Sequence, residues 1–320
     1  MSETTAQQQH SIASGFGHGT TSKDVMAGVD LTGSVAVVTG GYSGLGLETT
    51  GHLVRAGAHV VVPARRLDAA ASAVVPFGDA VTVVEADLSD LDSVSGCAQR
   101  IGDLWPQIDL FIGAAGIMAT PLWRVGPGWE SQFAVNHLGH FAFVAGLWPS
   151  LVRGAARVVA YSSAGHHISG MRWDDTQFMT GYDKWAAYGQ SKTANILFAL
   201  HLDELGAAAG VRAFSLHPGS ILTPLQRHLE SAEMVDRGWI DEQGTVADPT
   251  FKSVSQGAAT GLWAATSPQL AGLGGLYLED CDVAGPAADD GTGVKAYAVD
   301  RQEAASLWDL SVTLTGRDLG

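Results

Sequence analysis

Short runs of β-branched and other apolar residues recur along the chain from Ser34 onward, with few polar positions inside them. We predict seven strands from these runs, at 34–39, 59–62, 81–84, 108–112, 157–161, 211–216 and 274–278. The runs are nearly continuous and do not alternate with polar residues, so both faces of the strands should be covered. This pattern is typical of a buried parallel sheet.

Longer stretches between the runs carry apolar residues at three- and four-residue spacing, which indicates helices. They lie at 44–56, 130–153, 186–206 and 255–266. Strands that alternate with crossover helices predict an α/β fold, a single doubly wound, Rossmann-type parallel sheet with helices on both faces. We assign this domain to residues 31–320. Residues 1–30 are predicted to be a polar N-terminal arm, because no apolar period occurs before Lys23.

Two connections are longer than the fold requires, at 164–187 and 220–253. Long connections inside a compact domain are usually functional. Both contain Trp, Phe, Leu or Met residues, which favour a fairly apolar ligand. We predict that 220–253 is a substrate lid that is mobile without ligand.

Composition narrows the choice of partners. The chain has 46% hydrophobic and 16% charged residues and a formal net charge of −15, which indicates an acidic globular protein. Such a charge disfavours nucleic acid and anionic membranes. No apolar run approaches the roughly 18 residues that a membrane span needs, and the polar N-terminus lacks a secretory signal. We expect a cytoplasmic protein that binds a small molecule.

A glycine-rich turn follows the first predicted strand. Gly40, Gly44 and Gly46 allow the backbone to approach a pyrophosphate, and the next helix begins with unpaired N–H groups. Tyr42, Ser43 and Leu45 complete the turn. Its position directly after a buried strand favours a dinucleotide site over an ordinary connection.

The end of the second strand bears on the choice of cofactor. It reads Val62-Pro63-Ala64-Arg65-Arg66, with no carboxylate before Asp68. An acidic residue here would accept from ribose hydroxyls, whereas Arg65 pairs with a 2′-phosphate, so NADP(H) is favoured over NAD(H). The alternative is that both arginines are simply solvated. Asp87, followed by Leu88, either accepts from the adenine amino group or caps a helix.

Tyr188 and Lys192 lie four residues apart in a predicted helix, so both occupy one face. An ammonium beside a phenol favours the phenolate and should lower the tyrosine pKa from about 10. The pair forms a credible general acid and base.

The order of these features along the chain is specific. The glycine turn, the segment Asn136-His137-Leu138-Gly139-His140-Phe141, a Ser pair after the fifth strand, Tyr188-x-x-x-Lys192 and Pro218-Gly219 follow one another. This succession, over about residues 32–290, resembles the short-chain dehydrogenase/reductase family. The Asn136–Phe141 segment and the long piece before Tyr188 resemble its retinol-dehydrogenase and WW-domain-oxidoreductase side.

The resemblance implies a role for each matching residue. Tyr188 would protonate a carbonyl or deprotonate an alcohol, and Lys192 would hold the nicotinamide ribose and tune Tyr188. Ser163 would hydrogen-bond the substrate oxygen, its neighbour Ser162 being the alternative. Asn136 would hold a water that links Lys192 to solvent. The cofactor would also contact Ala115, Gly116, Pro218, Gly219, Ile221 and Thr223.

One motif departs from the family pattern. After the fourth strand the family usually carries Asn-Asn-Ala-Gly, whereas this chain has Gly113-Ala114-Ala115-Gly116. The missing amides would have bridged backbone of the sheet, so their loss puts local rigidity in doubt.

The histidines of helix 130–153 raise two further hypotheses. His137 and His140 share a helix face, but no acidic or Cys residues complete a first shell, so no metal is expected. We expect these histidines at an interface or rim, and the many apolar residues of the helix suggest a homo-oligomer.

The sequence therefore predicts an NADP(H)-dependent ketone reductase or alcohol dehydrogenase. A non-catalytic NADP(H)-binding sensor or partner protein of the same fold is the alternative. The glycine spacing disfavours a sugar-nucleotide epimerase.

Overall fold

Eight strands form one sheet in the computed structural model, which describes residues 9–319. Its order is β10-β9-β8-β7-β4-β1-β2-β3, and every neighbouring pair is parallel except β9 with β10. A separate hairpin pairs β5 with β6. The strands are β1 (Val35–Thr39), β2 (His59–Ala64), β3 (Val81–Glu85), β4 (Leu110–Gly113), β5 (Arg124–Val125), β6 (Trp129–Glu130), β7 (Arg157–Tyr161), β8 (Arg212–His217), β9 (Leu276–Glu279) and β10 (Asp282–Val283).

Helices cover both faces of the sheet. They are α1 (Ser22–Val25), α2 (Gly44–Arg55), α3 (Leu67–Val74), α4 (Leu91–Leu104), α5 (Ser131–Phe133), α6 (Gly139–Arg153), α7 (Lys184–Gly206), α8 (Ser231–Asp236), α9 (Val254–Thr266) and α10 (Arg301–Thr315). A π-helical turn at Ala134–Leu138 joins α5 to α6, so the two form one continuous rod. The doubly wound α/β prediction is confirmed.

The two layers explain why the strands are continuously apolar. Val37 and Val61 pack with residues of α4, α6 and α7. Their neighbours Val38 and Val62 point the other way and pack with α2 and α9. Side chains alternate between the faces of a strand, so a sheet covered on both sides needs apolar residues at every position.

The described part of the predicted N-terminal arm contributes to the domain. Residues 1–8 lie outside the described residues. The carboxamide of Gln9 is buried and donates to the carbonyls of Tyr277 (2.6 Å) and Ala284 (2.7 Å). Val25 and Met26 belong to the core cluster beneath α9. The sequence does not predict this packing, because the residues that make the contacts are isolated and show no apolar period.

The apolar excess of the helix at 130–153 is used within the chain. Phe141 and Phe143 are fully buried, and α4 and α10 pack against the rod that carries them. The homo-oligomer stays a prediction, now without an exposed apolar face on this helix to support it. Among residues 9–319, no helix combines the length and the apolar character that crossing a membrane would require.

Candidate active site

The glycine turn lies at the carboxyl end of β1, in the middle of the sheet. Gly40 has φ 70°, a left-handed conformation that glycine adopts without strain. A Cβ built on Gly46 would lie 2.2 Å from the Gly40 carbonyl oxygen, so only glycine allows the turn to close. One built on Gly40 would lie 3.1 Å from the backbone nitrogen of Ala115, which brings the turns after β1 and β4 together.

The start of α2 fits an anion. Ser43 occupies the N-cap position with no side-chain capping bond, and the first turn of the helix carries no acidic residue. Its N–H groups and their partial positive charge are therefore not neutralised by the helix's own first turn. The cradle and the helix end suit a dinucleotide pyrophosphate, as predicted.

Arg65 lies at the rim of this site. Its side chain is 66% exposed, and its Nη1 lies 3.9 Å from Oδ2 of Asp87. Asp87 itself accepts hydrogen bonds from the backbone and hydroxyl of Ser89. The N-cap of α4 is Asp90 and not Asp87, so the helix-cap alternative for Asp87 was wrong. Leu88 places its carbonyl against Gly139, at the start of α6.

A third arginine, which the sequence analysis missed, approaches the same rim. Arg227 belongs to the predicted lid, in the 3₁₀ turn Pro224–His228. Desolvation and, after it, the nearby guanidiniums of Arg65 and Arg66 lower the pKa of Arg227. Nothing in the local sequence joins the second strand to the lid, so this convergence follows only from the fold.

The hydrogen bonds at the end of β7 distinguish the two candidate serines. Ser162 Oγ donates to the carbonyl of Lys192 (2.8 Å) and so holds β7 to α7. Ser163 Oγ accepts from the N–H of Gly165 (3.0 Å), which leaves its own proton available. Its hydroxyl also lies close enough to the phenol to lower the pKa of Tyr188. Ser163 is therefore the serine placed beside the phenol.

Tyr188 lies in the second turn of α7 and is 4% exposed. Burial raises the pKa of Tyr188 to about 12, and the Ser163 hydrogen bond acts in the opposite direction. The predicted lowering of this pKa was wrong in direction, because removal of the phenol from water outweighs the groups around it.

Lys192 lies one turn further along α7. Its Nζ donates to the carbonyl of Tyr161 (2.9 Å) and lies 5.6 Å from the centre of the Tyr188 ring. Burial lowers the pKa of Lys192 to about 8. A Cβ built on Gly116 would lie 3.9 Å from the lysine Nζ and 3.1 Å from Oδ1 of Asn136, so these three residues meet.

Asn136 sits inside the π-helical turn, a distortion often found at functional sites. Its carboxamide accepts from the N–H of Ile117 and donates to the carbonyl of the same residue, both at 2.9 Å. It also donates to Ser191 Oγ at 2.9 Å. The side chain is fully engaged in holding the loop after β4, and its backbone carbonyl faces His140.

The two histidines on this helix are not at a rim. His137 and His140 are 1% and 6% exposed, so the interface prediction was wrong. Burial lowers the pKa of His137 to about 3 and that of His140 to about 4. In the rod at 131–153 only Gly146, Pro149 and Arg153 are exposed, so the face that carries both histidines lies inside the protein, which the sequence of the helix alone did not reveal.

The predicted lid begins directly over the glycine turn. A Cβ built on Gly44 would lie 3.6 Å from Cβ of Thr223, and Ile221 and Leu45 approach each other beside Gly257. Thr223 caps the turn at Pro224–His228. Pro218 and Gly219 precede this crossing at the end of β8. The predicted cofactor residues Gly44, Leu45, Ile221 and Thr223 therefore lie together.

Apolar side chains surround Tyr188. Leu229 of the lid packs with Tyr188 and Met118 in one buried cluster. The partly buried members of this cluster are Trp185, Leu225, Met234 and Trp239. The cluster surrounds the Tyr188 phenol, which lies near the Ser163 hydroxyl and the Lys192 ammonium. This arrangement can transfer a proton to a ligand whose remaining surface is apolar.

Comparison with known proteins places this geometry in a family. A sequence model described as short chain dehydrogenase matches residues 34–234. The chain belongs to the short-chain dehydrogenase/reductase family, whose fold binds a nicotinamide cofactor and carries oxidoreductase activity.

Two sequence relatives span nearly the whole chain. A "probable oxidoreductase" of Streptomyces antibioticus is 42% identical over 294 residues, covering 88% of this chain and 97% of the relative. Retinol dehydrogenase 12 of Mus musculus is 35% identical over 294 residues, covering 90% and 88%. The predicted family and its likeness to retinol dehydrogenases are confirmed.

Solved structures agree with the fold. An uncharacterized protein from Mycobacterium paratuberculosis has a TM-score of 0.69 at 32% identity, covering 92% of this chain and 98% of that chain. The RhlG/NADP active-site complex of Pseudomonas aeruginosa has a TM-score of 0.59 at 25% identity, covering 78% and 95%.

Proposed function

We propose that the protein is an NADP(H)-dependent oxidoreductase that interconverts ketones and alcohols with a largely apolar body. The observation that carries the proposal is the convergence of the partly buried Ser163 with the buried Tyr188 and Lys192, next to the loop that packs on the glycine turn. The same site therefore offers a proton donor for the substrate oxygen and a place for the nicotinamide.

Each side chain has a distinct task. The bound nicotinamide supplies hydride for reduction or accepts it in oxidation. Tyr188 holds the proton that passes to the substrate oxygen, and with a pKa of about 12 the phenol is protonated at neutral pH. The free proton of Ser163 orients the same oxygen. This protonation state favours carbonyl reduction over alcohol oxidation near neutral pH.

Lys192 supports the transfer from behind the ring. Its Nζ would hold the ribose of the cofactor, and in its charged form it stabilises the phenolate that remains after proton donation. Because its pKa is about 8, the charge is present at neutral pH and is lost as the pH rises through that value.

The apolar cluster supports an apolar substrate. Met118 and Leu229 pack on Tyr188, and Trp185 and Trp239 stand edge to face with ring centres 6.0 Å apart. A substrate carbonyl that reaches the phenol would have its body among these side chains.

Three cations support NADP(H). Arg65, Arg66 and Arg227 bring like charges together at the rim, an arrangement that a 2′-phosphate would stabilise. The structural relative from Pseudomonas aeruginosa is an NADP complex, which agrees with this choice.

The test is consumption of NADPH with ketones of increasing apolar size. We expect turnover that improves with size, and we expect Trp239→Ala to raise KM most for the larger ketones. Trp173→Ala is the matched control, because Trp173 is 40% exposed and pairs with Glu303 outside the cluster. Tight NADPH binding without turnover of any carbonyl or alcohol would instead support a non-catalytic sensor.

A further inference from the structure

A buried histidine joins the cofactor turn to the catalytic helix. His140 lies in the first turn of α6. Its Nε2 is 2.9 Å from Oγ1 of Thr39, the last residue of β1, and its Nδ1 is 3.1 Å from the carbonyl oxygen of Asn136. One imidazole thus contacts both the strand that leads into the glycine turn and the residue in the π-helical turn.

The partners fix how the ring is protonated. The Asn136 carbonyl can only accept, so Nδ1 must carry the proton. Thr39 Oγ1 accepts from the N–H of Ala115 at 3.1 Å, and its own proton is free to go to Nε2. The relay Ala115 to Thr39 to His140 to Asn136 is complete with a neutral ring. Burial lowers the pKa of His140 to about 4, which keeps the ring neutral at physiological pH.

The ring occupies space that a side chain at position 113 would need. A Cβ built on Gly113 would lie 3.1 Å from Cδ2 of His140 and 3.5 Å from its Nε2. Gly113 and Ala114 stand where the family resemblance leads one to expect two asparagines. The His140 ring can therefore occupy this position because residue 113 has no side chain.

We propose that His140 is a positioning residue that replaces the missing amides after β4. It fixes the backbone of Asn136 through Nδ1 and, through Thr39, the backbone of Ala115. Both ring nitrogens are engaged by protein groups, so His140 acts through these two residues. Its effect on turnover rests on the proposed function, whereas the hydrogen-bond relay does not.

The decisive experiment adds a side chain at position 113 and removes the imidazole at position 140. Gly113→Asn and His140→Ala are made singly and together, and kcat, the Kd for NADPH and Tm are measured. Each single change should lower kcat by about 5- to 150-fold, one by a clash with the ring and the other by stranding buried polar groups. The double variant should recover most of both losses, because the new amide then has the space of the ring. Additive losses would overturn the proposal.

His137→Ala is the matched control. His137 lies on the same helix and is equally buried, but its Nε2 pairs with Ser311 Oγ (2.7 Å), away from the site. It should lower Tm without lowering kcat. If His137→Ala and His140→Ala change Tm and kcat in the same proportion, His140 has only a structural role.

A second readout does not depend on turnover. Long-range ¹H–¹⁵N spectra of the histidine rings, assigned with His140→Gln, should show the Nδ1–H tautomer for His140. A proton on Nε2, or a charged ring at pH 7, would contradict the relay even in an inactive protein. The glutamine amide has one acceptor and two donors, so His140→Gln should retain more activity than His140→Ala. Thr39→Val offers a milder cut of the same relay if His140→Ala does not fold.

Discussion

The proton-transfer cluster (Asn136, Ser163, Tyr188 and Lys192) and the arginine rim (Arg65, Arg66 and Arg227) are built in opposite ways. Tyr188 and Lys192 are 4% and 5% exposed, whereas the Arg65 side chain is 66% exposed. The cluster is held by backbone carbonyls and by neighbouring helices. The rim carries charge on exposed side chains at the surface.

This difference in burial means that the proposed proton transfer and the proposed cofactor choice depend on separate parts of the site. Burial moves the pKa values in the cluster by removing water, so any change in packing there alters the proton transfer. At the rim, water and salt screen each charge, and a substitution leaves the cluster untouched. Under the proposed function, the rim is therefore the part of the site in which cofactor preference can change without loss of activity.

Removal of the phenol should produce the largest effect. Tyr188→Phe keeps the ring and its packing but deletes the proton donor, so kcat should fall by about 10²- to 10⁴-fold. The Kd for NADPH, measured by fluorescence titration, should change little, because the cofactor is held elsewhere. Near-normal turnover would remove the proposed role of the cluster.

Removal of a rim arginine should instead change cofactor binding and leave kcat nearly unchanged. Arg65→Ala should weaken NADPH binding by about 10- to 100-fold and leave NADH binding nearly unchanged, because NADH lacks the phosphate. The loss should shrink as ionic strength rises. Arg317→Ala, a change at an exposed arginine in the C-terminal segment after α10, serves as control. Equal weakening of both cofactors would return the assignment to NAD(H).

Acid should lower the free energy of unfolding through the buried His137, whereas the arginines of the rim stay charged. Burial lowers the folded-state pKa of His137 to about 3, so between about pH 6.5 and 3 the unfolded chain binds more protons than the folded one. The free energy of unfolding should therefore fall as the pH drops below about 6.5, by about 1.4 kcal/mol per pH unit for this residue. Denaturant titrations at pH 7, 6 and 5 measure the slope. His137→Leu should make it shallower, whereas a change at the exposed His10 should not.

The smallest expected effect is a local change in hydrogen exchange in the predicted lid when ligand binds. Residues 220–253 cross the glycine turn at Thr223 and reach the cluster at Leu229. Addition of NADPH with a substrate analogue should slow backbone hydrogen exchange across this segment and leave the strands unchanged. High protection without ligand that stays the same on binding would mean that the segment is not a lid.

The sheet was largely predictable because its signal is local. All seven predicted strands are present, since a strand covered on both faces must read as a continuous apolar run. Helices α1, α3, α4, α8 and α10 were not predicted. Helix α4 buries Val94, Cys97, Ala98 and Ile101 on one face, a period that the sequence analysis missed, and Asp90 supplies the cap that was considered for Asp87.

The site was predictable where its residues share one element or one motif. Tyr188 and Lys192 lie one turn apart in a single helix, so their spacing alone places them together. Arg227 and the role of His140 depend on contacts between segments that are remote in sequence. The pKa of Tyr188 also followed from burial by the lid and neighbouring helices, which no spacing records.

The Gln9 anchor has a consequence for the order of folding. The two carbonyls that accept from its side chain lie 268 and 275 residues further along the chain. During synthesis the Gln9 side chain lacks these two acceptors until β9 and the residue after β10 have emerged, so this contact forms after the strands around β1 are available. Contacts of such long sequence separation form slowly and late. The docking of Gln9 is therefore a late step in completing the domain.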